Sequence, residues 1–286
     1  IDFSNYQNHR GPDSSSTYID EIRKIYFCHK RLSIIDVSKN GIQPMYSSSK
    51  RFVIMFNGEI YNFKKIKNDY LLDYNFNSKT DTEVILALVE KFGFVKSIEK
   101  LEGMFSIVIY DKLSNKLFLA RDRFGEKPLY YFYNNNLKSF LFTSDILFVK
   151  KSNIIEKKIN YKSLNLYFKY NYIPAPYTIF QNIFKLEPGK ILEYDIVSHK
   201  INEIVYFNAD SLFEKPKMNL SFENASNNLE SLLSEKVSDQ LISDVPIGTF
   251  LSGGIDSSLI TSIIAQKFKK NIDAFTIGFE NNDYNE

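Results

Sequence analysis

The chain has 286 residues, 44% hydrophobic and 24% charged, which suits about two globular domains with cores of their own and excludes wholesale disorder. Its 36 basic and 34 acidic side chains leave a formal charge of +2, too little for a broad nucleic-acid footprint. One cysteine, Cys28, excludes an internal disulfide framework and points to a reducing compartment, the cytoplasm; no apolar run of about 18 residues and no charged-then-apolar start argues for a membrane span or signal.

In chain order, the region from Ile25 to about Ser144 predicts short strands with a helical insertion, a layered sheet architecture. The strands are Ile25–Asp36, Arg51–Phe56, Met104–Asp111, Lys116–Arg121, Pro128–Tyr133 and Lys138–Thr143. Turn signals at Ser114-Asn115 and Asn134-Asn135-Asn136 predict that the last four form a meander of antiparallel hairpins. Between them, Thr80-Asp81-Thr82-Glu83 is a capping-box pattern opening a helix that carries Val84, Leu86, Ala87, Leu88 and Phe92 and stops at Gly93. The polar stretch Asn202–Asn219, with Pro216, is expected to be the domain junction. Beyond it, Phe222, Ala225, Leu229, Leu232, Leu233, Val237 and Leu241 recur at helical spacing. The period then changes: strand Ile247–Leu251, helix Asp256–Lys269 and strand Ile272–Ile277 predict a β-loop-α-β unit with parallel strands. The chain starts on Ile1 rather than Met and stops just after a strand-like run, so both ends are expected to be truncations.

The loop of that unit reads Ser252-Gly253-Gly254-Ile255-Asp256-Ser257-Ser258. Adjacent glycines let main chain approach an anion, and the helix start beyond them offers unpaired N–H groups, a combination suited to phosphate. Ser252, Ser257 and Ser258 add hydroxyl donors, and Asp256 suits a magnesium ion beside the phosphates. The loop lacks the Gly-Lys-[Ser/Thr] ending of a Walker site and the spacing of a dinucleotide site. Earlier in the chain, Asn57-Gly58-Glu59 at a strand end exposes an amide, a flexible backbone and a carboxylate; alone it reads first as a turn.

Six ordered segments decide how that cluster is read: His9-Arg10-Gly11-Pro12-Asp13, His29 to Asp36, Gln43-Pro44-Met45, Phe56 to Asn62, Thr80-Asp81-Thr82-Glu83 and Leu119 to Gly125. Together they resemble the class II glutamine amidotransferase domain of the asparagine synthetases, from His9 to the Pro174/Pro176 region. The glycine-rich loop resembles the pyrophosphate loop of N-type ATP pyrophosphatases, and Asp244–Gly248 and Phe275–Phe279 around it resemble asparagine synthetases in particular. The resemblance implies an antiparallel α/β/β/α sandwich of the N-terminal nucleophile type over residues 1–208, followed by the start of a parallel α/β ATP pyrophosphatase domain over 209–286.

It also implies roles. Arg31 would take the glutamine carboxylate, with Leu32, Ser33, Ile34 and Ile35 beside it, and Glu59 and Asp81 would receive the α-ammonium. The Asn57 side chain and the Gly58 N–H would face the oxyanion formed during amide cleavage. Phe250, Leu251 and Ile277 would line an adenine pocket beside the phosphate loop, with ATP and Mg2+ as the implied cofactors and Asp256 as the metal residue. Arg121 to Pro128 is expected to be an ion-pair network at a strand turn. In this family an N-terminal cysteine thiol attacks glutamine. That residue is not in this sequence, and mid-chain Cys28, inside an apolar strand, is a poor substitute, so the chain as written is expected to bind glutamine without hydrolysing it. The intact enzyme would use the freed ammonia on an aspartyl-adenylate, giving asparagine, AMP and pyrophosphate. An acceptor other than aspartate, such as a sugar or secondary metabolite, and a non-catalytic binding protein both stay open, as does a homodimer.

Overall fold

Residues 7–151, 155–268 and 272–278 are described by a computed structural model of the chain, which divides between Glu214 and Lys215 into two units. The first begins with a hairpin of β1 (Ser14–Asp20) and β2 (Ile25–Arg31), in register from Ser14 opposite Arg31 to Asp20 opposite Ile25. β2 is shorter than predicted, because the chain turns after Arg31 and Asp36 takes a left-handed φ of 56°. A two-residue strand, β3 (Met45–Tyr46), then covers only Ile54 and Val53 of β4 (Phe52–Ile60).

Three helices follow: α1 (Phe63–Tyr70), α2 (Asp81–Phe92) and α3 (Phe94–Ile98). The predicted cap of α2 forms in part. Thr80 Oγ1 accepts from the Glu83 N–H, but the Glu83 carboxylate reaches back to the N–H groups of Asn77 and Ser78 rather than Thr80. Gly93 ends the helix at φ 77°. The chain continues through β5 (Gly103–Asp111), β6 (Lys116–Arg121), β7 (Tyr130–Asn134), β8 (Ser139–Thr143), α4 (Leu147–Lys151), α5 (Tyr161–Tyr170), β9 (Ile183–Lys185), β10 (Lys190–Asp195), β11 (Ile201–Val205) and α6 (Asp210–Phe213).

All strand pairs in this unit are antiparallel. One sheet has the order β11-β10-β6-β5-β4-β3, and the others are β1-β2 and β8-β7-β9. Val53 and Met55, Val108 and Tyr110, and Leu117 and Leu119 face inward from the six-stranded sheet and pack against Tyr18 and Phe27 of the hairpin and Tyr131 of β7. On the sheet's other face, α2 is buried from Asp81 to Val89, and the Phe94 ring stacks on Phe118 at 5.0 Å. Beyond the second layer of strands, Phe148 and Val149 of α4 pack on Phe132 and Ile183. The layers therefore run helix, sheet, sheet, helix, an α/β/β/α sandwich.

The predicted meander does not form as one sheet: β5 and β6 pair in the first, β7 and β8 in the second. The turn between them explains the change. Asp122, almost wholly buried, accepts from the N–H groups of Phe105, Phe124, Glu126 and Lys127. Arg121 donates to the carbonyls of Gly125, Lys127 and Leu186. The expected ion-pair network is thus a set of main-chain hydrogen bonds, because a turn that leaves one sheet for another exposes peptide groups that need buried partners. The polar stretch from Asn202 begins inside β11, whose register with β10 extends the sheet further than predicted.

The second unit contains α7 (Phe222–Gln240), capped by Ser221, then β12 (Gly248–Phe250), α8 (Ile255–Lys267) and β13 (Asp273–Phe275). β12 and β13 pair in parallel, Gly248 opposite Asp273, as the change of period predicts. The predicted end of this helix at Lys269 lies outside the described residues. Among the described residues, no helix is long and apolar enough to cross a membrane.

Asp122→Ala leaves four N–H groups, that of Phe105 buried and the other three part-buried, without their acceptor. It is expected to lower the unfolding free energy of the first unit by about 2–4 kcal/mol, measured by denaturant titration, whereas a loss under about 0.5 kcal/mol would contradict the clamp.

Candidate functional site

Main-chain groups of a strand point alternately to its two neighbours. On β4 the even-numbered residues point away from β5: Phe52 N–H donates to Ser47 Oγ, Phe56 N–H to Gln43 Oε1 at 2.6 Å, and Ile60 N–H to Asp81 Oδ2 at 2.9 Å. The Phe56 carbonyl, on the same edge, lies 3.3 Å from His29 Nε2. A carbonyl can only accept, so Nε2 carries the proton. Burial lowers the pKa of this imidazole to about 4, which keeps it neutral, and its Nδ1 has no partner among the described residues. Between Phe56 and Ile60 lies Gly58, whose N–H points to the same edge and has no acceptor among the described residues.

Gly58 must be glycine here. Its φ is 151°, and a Cβ would sit 2.0 Å from the Met104 carbonyl oxygen on β5. The odd-numbered residues Asn57 and Glu59 turn their side chains to the face of Val53 and Met55, toward the second layer of strands. There, Phe27, His29 and Arg31 alternate along β2. Asn57, Gly58, Glu59, Asp81, His29 and Arg31 all line one cavity of about 1370 Å³. The Asn57 side-chain amide makes no hydrogen bond among the described residues, so it and the Gly58 N–H are free donors in one wall.

The same wall is electrostatically unbalanced. Burial raises the Asp81 pKa to about 7, opposed by its hydrogen bond from Ile60 and reinforced by the Glu59 charge. Burial also raises Glu59, while Lys127 acts in the other direction. Neither carboxylate has a salt bridge among the described residues. Two desolvated carboxylates beside two free donors suit a small molecule with a cationic end and a polarised carbonyl.

Arg31 is buried, and its guanidinium holds the loop that follows. Nη1 donates to the Ser38 carbonyl, and Nη2 to the Ile35 and Asp36 carbonyls at 3.1 and 2.5 Å. Only Nε–H and one Nη1–H remain for a ligand carboxylate. Asp36 ties the loop to the start of α2 by accepting from Ser38 and from the Lys79 N–H; the Ser38 hydroxyl holds its pKa below the usual range. Asp13 accepts from the Ser33 N–H, joining the first motif to the same loop. Leu32, which is exposed, lines the cavity together with Ile34 and Ile35, whereas Ser33 is not among the lining residues. Cys28 is half-buried and lines the cavity too.

In the second unit, the loop between β12 and α8 has Gly253 at φ 94°, and Gly254 caps α8 with no side-chain acceptor for the helix's first N–H groups. Ser257 Oγ accepts from the Ser252 N–H and lies 3.1 Å from Ser252 Oγ. An anion at this helix start would meet main-chain donors and the hydroxyls of Ser252, Ser257 and Ser258. Asp256 lies in the first turn, and no group of three or more metal-ligating side chains is found among the described residues. Leu251 N–H donates to the Phe275 carbonyl and Thr276 Oγ1 to the Leu251 carbonyl, which brings Ile277 to the strand end where the loop begins. Phe250 and Ile277 are both largely exposed.

Sequence reasoning left Gln43 and His29 without roles, although both sit in quoted motifs. The signal was the alternation Phe27, His29, Arg31, which puts two polar groups on a buried face, and a buried amide just before a strand pair.

Residues 2–207 match the family model of a glutamine amidotransferase domain, and residues 228–286 that of asparagine synthase. The chain is 36% identical over 295 residues to an asparagine synthetase (glutamine-hydrolysing) of Methanocaldococcus jannaschii, covering 95% of this chain and 55% of that protein. It is also 36% identical over 280 residues to asparagine synthetase (glutamine-hydrolysing) 1 of Bacillus subtilis, covering 97% of this chain and 42% of that one. The chain thus spans about half the length of these relatives. Among solved structures, the glutamine phosphoribosylpyrophosphate amidotransferase of B. subtilis, complexed with ADP and GMP, is similar at a TM-score of 0.47 and 16% identity, covering 88% of this chain and 51% of that one.

Because the fold raises the Asp81 pKa, its contribution to stability is fully present below the usual value of 3.8 and is lost as pH rises through about 7. Asp81→Asn stays neutral and still accepts from Ile60. Thermal melts should show it more stable than the parent by about 1–3 kcal/mol near pH 8, with the difference vanishing below about pH 4; a difference independent of pH would contradict the burial.

Proposed function

Because this chain belongs to the glutamine-hydrolysing asparagine synthetase family, we propose that its first unit binds glutamine at the open edge of β4 and that its second carries the phosphate loop of an ATP-consuming ligase. The observation that carries the first half is the juxtaposition of an unpaired Gly58 N–H with two desolvated carboxylates, Glu59 and Asp81, that have no salt bridge among the described residues. The glutamine α-ammonium supplies the missing positive charge, and its carboxamide oxygen takes the Gly58 N–H and the Asn57 amide. As that carbonyl becomes tetrahedral, the oxygen gains charge, and these two donors stabilise it. Arg31, with its two remaining donors, and the main chain of Leu32 to Ile35 flank the glutamine carboxylate.

In the whole protein the released ammonia reacts with an aspartyl-adenylate formed from aspartate and ATP, giving asparagine, AMP and pyrophosphate. The open α8 start with Ser252, Gly253, Gly254, Ser257 and Ser258 supports a pyrophosphate subsite, Asp256 supports a phosphate-bridged Mg2+, and Phe250, Leu251 and Ile277 flank it for the adenine. The proposed domain limits, residues 1–208 and 209–286, put the junction six residues before the division between Glu214 and Lys215. The single cysteine favours the cytoplasm as the site of action.

Calorimetric titration of the chain tests the first half, and NMR of its amides the second. Glutamine should bind, and Asp81→Asn should weaken it about 10–100-fold through loss of a charge-assisted contact. Glutaramate, which lacks the α-amino group, should bind the parent about as poorly as glutamine binds the variant. Equal affinity of the parent for the two ligands would contradict the ammonium site, and ATP with Mg2+ that leaves the amide resonances of residues 252–258 unmoved would contradict the phosphate loop.

A further inference from the structure

Gln43 is almost wholly buried, and its side chain spans two elements. Its Oε1 accepts from the Phe56 N–H at 2.6 Å, and its Nε2 donates to Thr82 Oγ1 at 3.4 Å, in the first turn of α2 next to Asp81. His29 takes the Phe56 carbonyl from the other side. Phe56 is therefore bracketed on the outer edge of β4 at the point where β3 has stopped pairing, two residues before Gly58. A strand edge without a neighbouring strand is free to twist or slip, and each peptide group pinned there removes that freedom for the groups beside it.

We propose that Gln43 is a positioning residue for the glutamine site. By holding the edge of β4 to the first turn of α2, it sets the Gly58 N–H at a fixed distance from the Asp81 carboxylate, so that one bound molecule engages both. The inference rests on the glutamine reading of that site. Its physical basis is that Ile60, the next outward N–H, is held by Asp81 itself, so Gly58 is fixed from both sides: by Gln43 and His29 through Phe56, and by Asp81 through Ile60. Loss of the Gln43 link would leave the ammonium-binding carboxylates in place but would let the donor drift, which is a loss of orientation rather than of binding.

Amide hydrogen exchange read by NMR on the whole chain, with and without glutamine, tests this. In the parent, the Phe56 amide should exchange slowly and the Gly58 amide fast, and glutamine should slow Gly58 at least about tenfold. In Gln43→Met, which keeps the side-chain length without its polar atoms, Phe56 should exchange about tenfold faster or more. Glutamine should still bind within about tenfold of the parent, yet no longer protect Gly58. If Gln43→Met protects Gly58 as the parent does, the positioning role is overturned while the glutamine site stands. If glutamine binds the parent elsewhere and never protects Gly58, the site reading fails and this inference with it, whatever Phe56 shows. Should Gln43→Met not fold, Thr82→Val removes only the link to α2. Phe56 should then stay slow while glutamine protection of Gly58 falls by about half or more, and unchanged protection would overturn the proposal.

Discussion

The first unit turns on one constraint: β3 pairs with only two residues of β4, so the outward peptide groups from Phe56 to Ile60 must find partners other than a strand. Buried peptide groups are rarely left unmatched, and this edge meets that requirement with side chains from three separate segments. Gln43 and His29 serve Phe56, Asp81 serves Ile60, and Gly58 between them is left open. Segments far apart in the chain are therefore parts of one object. Each secures a peptide group of the same strand, and together they define the donor that none of them occupies.

Electrostatics complete the arrangement. Glu59 and Asp81 lie where burial disfavours their charge, and Asp81 is also the acceptor that holds Ile60. The fold thus holds two carboxylates where ionisation is unfavourable, which under the proposed reading the ammonium group of glutamine would relieve. The loops around it are held by charges that contact main chain rather than each other: Arg31 on the carbonyls of residues 35, 36 and 38, Asp36 on Ser38 and Lys79, and Asp122 on four N–H groups of its turn. Such contacts fix backbone position directly, which matters for the proposed role of a backbone N–H.

Much of this was legible in the sequence. The α2 start, the β5 and β6 strands and the parallel unit around the glycine-rich loop follow from period and capping, because those signals are local. The split of the hairpins between two sheets was not, since it depends on how Asp122 gathers amides from a turn and from β5. β10 and β11 escaped because their buried positions are set by pairing with β6 across a long separation, while their outer residues are polar. At the candidate site, the family resemblance rather than the residue types alone pointed to Asn57, Gly58, Glu59 and Asp81, and which way the Gly58 N–H points follows from strand parity, visible only once the partners of Phe56 and Ile60 are known. Arg31 shows the converse: its position was readable, but its engagement with three carbonyls of the next loop was not.

The most direct measurement is a crystal structure of the chain grown with glutamine. The account predicts the carboxamide oxygen within about 3 Å of the Gly58 nitrogen and the α-ammonium between the Glu59 and Asp81 carboxylates. Glutamine bound away from this edge, or a Gly58 N–H engaged by a main-chain acceptor in its presence, would contradict it.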